Sequence, residues 1–295
     1  MSDAPEPGAT TRHHRGLMAG VLALAALAYV PALASSPGRM PADTKLYLYF
    51  DPVGLVGRAA STFEADQFLG WVPFQQITYL WPSGPWFVLF DLLGAPDWIA
   101  HRLWIGTILF AAGAGTVWCA RRLGFTPLAA VVAGIVYQLA PLLLPYVSRT
   151  SILLLPWAAL GWIVGLTYLG ALRGAAGSDC ADGAEPPRRL DRWREPALIA
   201  LIVATVGSAN ATTLLMIVPA PVLLLVHLVA ERRVGWRPLA AFSARVALLC
   251  TAVSMWWASM LVVQARRGAD VLAYTETLED VSRNATGSEV LRGLG

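Results

Sequence analysis

Long apolar runs alternate along the chain with short polar breaks that carry arginines. A membrane-spanning helix needs about 20 mostly apolar residues, and on that measure spans are predicted at 17–34, 103–119, 128–147, 152–172, 197–209, 211–229 and 239–263. The apolar stretch 197–229 would be roughly 50 Å long as one helix, too long for a single crossing. Ser208-Ala209-Asn210 therefore reads as the turn of a hairpin. Its first arm, 197–209, is only roughly 20 Å long at helical rise, against a hydrocarbon core of roughly 30 Å. An arm that stops short normally turns against protein or a wet cavity, so a buried cavity open to the outer face is expected. Between the first two spans lies a long polar and aromatic external loop, 35–98, with a short interfacial helix expected at Pro85–Leu93. Residues 264–295 form a second external loop, and 173–196 a cytoplasmic linker whose Gly174–Pro187 part is assigned no structure.

Arginine placement orients this pattern, because loops rich in Lys and Arg stay in the cytoplasm. Seven crossings put Arg12/Arg15, Arg121/Arg122, Arg173 with Arg188/Arg189/Arg192/Arg194, and Arg232/Arg233/Arg237 on one side. The opposite side receives the acidic first loop, with Asp43, Asp51, Glu64, Asp66, Asp91 and Asp97. Ala32-Leu33-Ala34 matches a signal-peptidase site, but the run before it exceeds the usual ~7–15-residue signal core, which favours a retained anchor. The chain also stops soon after a loop with no polar tail, as a piece of a longer protein would.

Composition agrees. Of 295 residues, 56% are hydrophobic and 14% charged, with mean hydropathy +0.56, against about 25% charged in ordinary soluble domains. The fold expected is an all-α polytopic membrane protein embedded in the bilayer. A net charge of +3 is too small to point to nucleic acid. Cys119, Cys180 and Cys250 show no metal-like spacing and read as structural. Motifs for phosphate loops, HExxH or GxSxG sites and Cys/His metal clusters are missing from the sequence.

The candidate chemistry clusters at the outer face. Asp43, in Pro41-Ala42-Asp43-Thr44-Lys45, sits just beyond the first span. There a carboxylate can take the proton of an attacking sugar hydroxyl; alternatively it is an interface charge paired with Lys45. Glu276, in Tyr274-Thr275-Glu276-Thr277-Leu278-Glu279-Asp280, emerges on the same face, where a solvated acidic loop is the competing reading. Arg102 and Arg149 suit bidentate phosphate contacts, but arginine beside a span also snorkels to lipid headgroups. Gln75, Gln76, Tyr79 and Trp81 belong to an aromatic and amide-rich run typical both of sugar contacts and of interfacial belts.

Ser36-Pro37-Gly38 followed by Asp43-Thr44-Lys45-Leu46, Tyr79-Leu80-Trp81-Pro82-Ser83-Gly84-Pro85-Trp86-Phe87, Leu93-Gly94-Ala95-Pro96-Asp97-Trp98 with Arg102-Leu103-Trp104, and Glu289-Val290-Leu291-Arg292-Gly293 are landmarks spread along the chain. Together they resemble the first external loop and flanks of the actinobacterial α-(1→3)-arabinofuranosyltransferase AftD family. They keep the family's order but cover only the amino-terminal part of its longer members. The resemblance implies a GT-C glycosyltransferase module, a decaprenyl-phosphoryl-arabinose donor and an arabinan acceptor of arabinogalactan or lipoarabinomannan. It implies Asp43 as the catalytic base, Glu276 as a second acidic group, and Arg102 or Arg149 at the leaving phosphate. The implied reaction is a single inverting displacement on the extracytoplasmic side of the plasma membrane, with a divalent cation left open. Two alternatives stand beside it: a GT-C enzyme for another prenyl-phosphate sugar such as mannose, and a transporter or flippase. The second fits less well, because transporters place ionisable groups near the midplane of their spans.

Overall fold

Apolar runs in a bilayer become helices because only there does each backbone N–H find its carbonyl within the same segment. The computed structural model describes residues 7–41, 43, 47–61, 63–65, 70, 72, 76–176, 191–207 and 211–267. Among these residues the structure is helical, with no β-strand. Helix α1 (Pro7–Ala34) is followed by the short α2 (Tyr47–Phe50), α3 (Pro52–Ala59) and α4 (Ser83–Leu92) of the first loop. The bundle then continues through α5 (Asp97–Arg122), α6 (Pro127–Gln138) and α7 (Leu154–Ala176). Last come α8 (Asp191–Val206), α9 (Ala211–Ile217), α10 (Pro219–Ala230) and α11 (Trp236–Arg267). Among the described residues, four segments are long and apolar enough to cross a membrane: Gly16–Ala34, Asp97–Arg122, Ser151–Gly174 and Trp236–Arg267.

Prolines explain where the helices depart from the expected spans. The run 128–147 is helical only to Gln138. Pro141 biases the residue before it away from the helical region, and the chain passes through turns into a 3₁₀ helix at Leu144–Ser148. The segment 211–229 is divided into α9 and α10, with Pro219 opening α10. The arm expected at 197–209 begins earlier, at Asp191, and ends at Val206, which makes it roughly 24 Å long. The interfacial helix expected at 85–93 is α4, and it starts two residues earlier.

Small residues let the central helices approach closely, as in membrane bundles generally. α5 and α7 run parallel and share the most extensive helix interface. A side chain at Gly161 would meet the Gly115 carbonyl carbon at 2.6 Å. Beside this contact Trp162 stacks on Trp118 at 5.4 Å and donates from Nε1 to the Ala111 carbonyl. α1 packs across α5, where Tyr29 hydrogen-bonds Thr107, and the fully buried Gln138 of α6 donates to the Leu24 carbonyl.

At the far end of the bundle, Arg121 and Arg122 close α5 and Arg173 lies in the last turn of α7. Arg173 Nη1 stands 2.6 Å from Oε1 of the buried Glu195 on α8. Removing one partner of such a pair strands the other charge. Because Arg173 is half exposed, the expected loss falls between the roughly 0–1 kcal/mol of surface pairs and the roughly 3–5 kcal/mol of buried ones. Arg173→Met should therefore lower the melting temperature of the detergent-solubilised protein, and adding Glu195→Gln should restore part of it. Identical melting of the single and double variants would show that the pair is not coupled.

Candidate active site

Asp43 follows the turn that ends the first span, with its amide bonded to the Pro41 carbonyl at 2.9 Å. Its side chain is fully buried. One carboxylate oxygen, Oδ1, accepts the backbone N–H of Ser151 at 2.8 Å. The other, Oδ2, lies 3.1 Å from Nε2 of His101, which is also fully buried. The Asp43 carbonyl accepts the hydroxyl of Tyr49 at 2.8 Å. Thus three chain segments meet at one acidic residue: the first loop that carries it, the second turn of α5, and the 3₁₀ turn Ser151–Leu153 that leads into α7.

A second layer holds these partners. Trp104, one turn after His101, donates from Nε1 to Ser151 Oγ at 3.1 Å. Tyr49 meets the His101 ring edge-on at 5.6 Å and the Phe87 ring of α4 at 4.9 Å. Trp86 of α4 donates to the Ala100 carbonyl. Burial of this kind is tolerable for a carboxylate only when its oxygens are hydrogen-bonded, and here both are.

The structure places the other expected residues unevenly. Arg102 lies beside this cluster, where its Nη2 donates to the Arg39 carbonyl and its Nε has no hydrogen-bond partner among the described residues. Arg149 is exposed, two residues before Ser151. Tyr79 is buried in the hydrophobic core, so it offers no face for stacking on a sugar in this conformation, whereas Trp81 is about half exposed. Gln76 starts the 3₁₀ helix Gln76–Leu80, but its side chain is not described. Gln75 and Glu276 lie outside the described residues. The bonded partners of Asp43, His101 and Ser151, were not among the residues expected from sequence. Among the described residues no group of three His, Cys, Asp or Glu side chains comes together.

In the same bundle, α7 to α11 line a partly open apolar cavity of about 610 Å³, bordered among others by Ile163, Val203, Ile217, Phe242, Val246 and Trp257. It adjoins the hairpin arms where a cavity was expected, but its walls are apolar rather than wet. Its lining spans Phe242 to Ala258 on α11, together with Ile163 and Thr167 on α7.

Comparison with known proteins gives a consistent result. The chain is 31% identical over 270 residues to the α-(1→3)-arabinofuranosyltransferase of Mycobacterium tuberculosis, covering 91% of this chain and 18% of that protein. It is 30% identical over 274 residues to the enzyme of the same name from Mycolicibacterium smegmatis, covering 92% and 18%. The chain therefore spans less than a fifth of the length of these relatives. A cryo-EM structure of the arabinofuranosyltransferase AftD from mycobacteria superposes with a TM-score of 0.69 at 25% identity, over 83% of this chain and 17% of that one. The family profile described as alpha-(1->3)-arabinofuranosyltransferase, N-terminal GT-C domain, matches residues 27–295. With its apolar helices arranged as in that membrane glycosyltransferase, this multi-pass membrane chain belongs to the α-(1→3)-arabinofuranosyltransferase family, as its N-terminal GT-C domain.

Proposed function

We propose that this module forms the reaction centre of an arabinofuranosyltransferase acting on the extracytoplasmic face. Decaprenyl-phosphoryl-arabinofuranose is the donor and a cell-envelope arabinan the acceptor. The observation that carries the reading is Asp43, whose carboxylate is bonded by His101 and Ser151 and whose backbone carbonyl is bonded by Tyr49, at one end of the bundle. In the proposed step an acceptor hydroxyl oxygen bonds to the anomeric carbon while the bond from that carbon to the phosphate oxygen breaks. The hydroxyl proton passes to Asp43, and the decaprenyl phosphate leaves with the bonding pair. Each carboxylate oxygen keeps lone-pair capacity beyond the bond it already accepts. Because Asp43 is fully buried, the packing around it opens when the acceptor enters.

Other features support the same reading. Arg102, next after His101 on α5, has a buried Nε with no hydrogen-bond partner among the described residues, and a guanidinium suits a phosphate. The apolar cavity lined by α7 to α11 has the chemistry to take a prenyl chain. The basic helix ends gather at the opposite end from Asp43, which suits a cytoplasmic side there. Glu276 and Arg149 are retained as a second acid and a second phosphate contact, and Trp81 and Gln76 as sugar contacts.

The test uses full-length protein in membranes, labelled decaprenyl-phosphoryl-arabinose and a short arabinan acceptor. Transfer of label is expected. Transfer from a prenyl-phosphate mannose instead would overturn the arabinose assignment, and turnover of neither donor would overturn the transferase reading.

A further inference from the structure

We infer that His101 is a positioning residue for Asp43, holding the carboxylate so that one oxygen is aimed for proton transfer; this rests on the reading of Asp43 as base. His101 and Asp43 are both fully buried, 58 residues apart in sequence, with Nε2 3.1 Å from Oδ2. As the base, Asp43 starts as a carboxylate that only accepts hydrogen bonds, so that reading places the proton between them on Nε2. The ring's other nitrogen, Nδ1, is buried and has no hydrogen-bond partner among the described residues.

That idle nitrogen separates a positioning role from mere packing. The buried stripe of α5 runs through His101, Trp104, Ile105, Ile108 and Ala112. At such a position an apolar side chain would fill the space without the desolvation cost of an unpaired nitrogen. The imidazole brings one thing an apolar residue lacks, a donor at Nε2, and that donor points at Asp43. The edge-on Tyr49 ring fixes the imidazole plane, and the Tyr49 hydroxyl grips the Asp43 backbone, so orientation is set from both sides. With Ser151 N–H on Oδ1 and His101 on Oδ2, both carboxylate oxygens are held by bonded partners.

The experiment compares His101→Leu, His101→Asn and His101→Gln in the full-length protein, with Asp43→Asn and wild type alongside, by kcat and acceptor KM. A glutamine amide nitrogen reaches about as far as Nε2, whereas asparagine is too short and leucine has no donor. His101→Leu and His101→Asn are expected to lose about 100-fold in kcat, as a misplaced reacting group does, with acceptor KM changed less than about threefold. His101→Gln is expected to recover at least about tenfold of that loss. Comparing Gln with Asn keeps the test open should the leucine variant fail to assemble, since both are polar and differ only in reach. Full kcat in the Asn variant, or equal loss in Gln and Asn, overturns the inference while Asp43→Asn is inactive. An active Asp43→Asn, or an inactive wild type, overturns the underlying reading of Asp43 instead.

Discussion

Asp43→Asn in the full-length protein is expected to reduce arabinose transfer by about 100-fold or more, the range a positioned general base supplies, while the protein remains assembled. Assembly survives because asparagine keeps the geometry. Its carbonyl can still accept the Ser151 N–H, and its amide can donate to His101 Nε2 if the imidazole carries its proton on Nδ1 instead. Asp43→Ala has no such option. It leaves the Ser151 amide and the His101 ring buried without partners, at roughly 1–3 kcal/mol each. Asn should thus separate chemistry from architecture, with activity lost and melting nearly kept, whereas Ala loses both. Measured transfer and thermal melting of the two variants side by side decide the matter. If Asp43→Asn retains activity within a few fold, Asp43 is a clasp that ties the loop to α5 and α7, and the base lies elsewhere.

A single methyl group added at Gly161 is expected to destabilise the bundle strongly, by forcing two helix backbones apart. An alanine Cβ there would lie 2.6 Å from the Gly115 carbonyl carbon, 2.7 Å from the Thr116 nitrogen and 2.8 Å from the Gly115 oxygen. All three are backbone atoms, so no side chain can rotate away and the two helices must separate. Overpacking of a close-packed contact typically costs about 1–3 kcal/mol. Separation would also loosen the Trp118–Trp162 stack and the bond from Trp162 to the Ala111 carbonyl. Gly174, near the end of the same helix, supplies the control. A Cβ there meets nothing closer than 3.7 Å, and alanine is the better helix former. Gly174→Ala should melt with or above wild type, and Gly161→Ala several degrees below it. Equal melting of the two would mean that the close approach at Gly161 contributes nothing. Because α5 carries His101 and α7 begins just after Ser151, Gly161→Ala should also lower transfer activity.

Much of the architecture is legible because bilayer physics leaves a strong periodic trace. The runs at 17–34, 103–119, 152–172 and 239–263 each fall inside one of the four long apolar helices. Where the expected spans and the helices part, proline decides. Pro141 and Pro219 lie in runs as apolar as their neighbours, so hydropathy alone carries across them while the backbone does not. The site is half legible. Asp43 stands out by position, just beyond a span, and needs no knowledge of its partners. His101 does not stand out, because the four histidines are too scattered in sequence for a metal cluster, and a pairing across 58 residues leaves no periodic mark. A signal does exist: His101 occupies the same inward stripe as Trp104, Ile105 and Ile108. A lone imidazole on a core stripe demands a polar partner. Ser151 offers no signal at all, since it contributes a backbone amide that nearly any residue could provide.

The three-way hold on Asp43 also imposes a calendar on biogenesis. Its two side-chain partners lie 58 and 108 residues downstream. At about 5–20 residues per second, the ribosome reaches Ser151 roughly 5–20 s after Asp43 has been made. For that interval the first loop lacks the backbone amide that Asp43 Oδ1 accepts, although His101 is made about midway through it. The segment made among the earliest is consequently among the last to settle. Nascent chains arrested before residue 151 should leave Asp43 open to a water-borne carboxyl reagent, and chains arrested well beyond α7 should not.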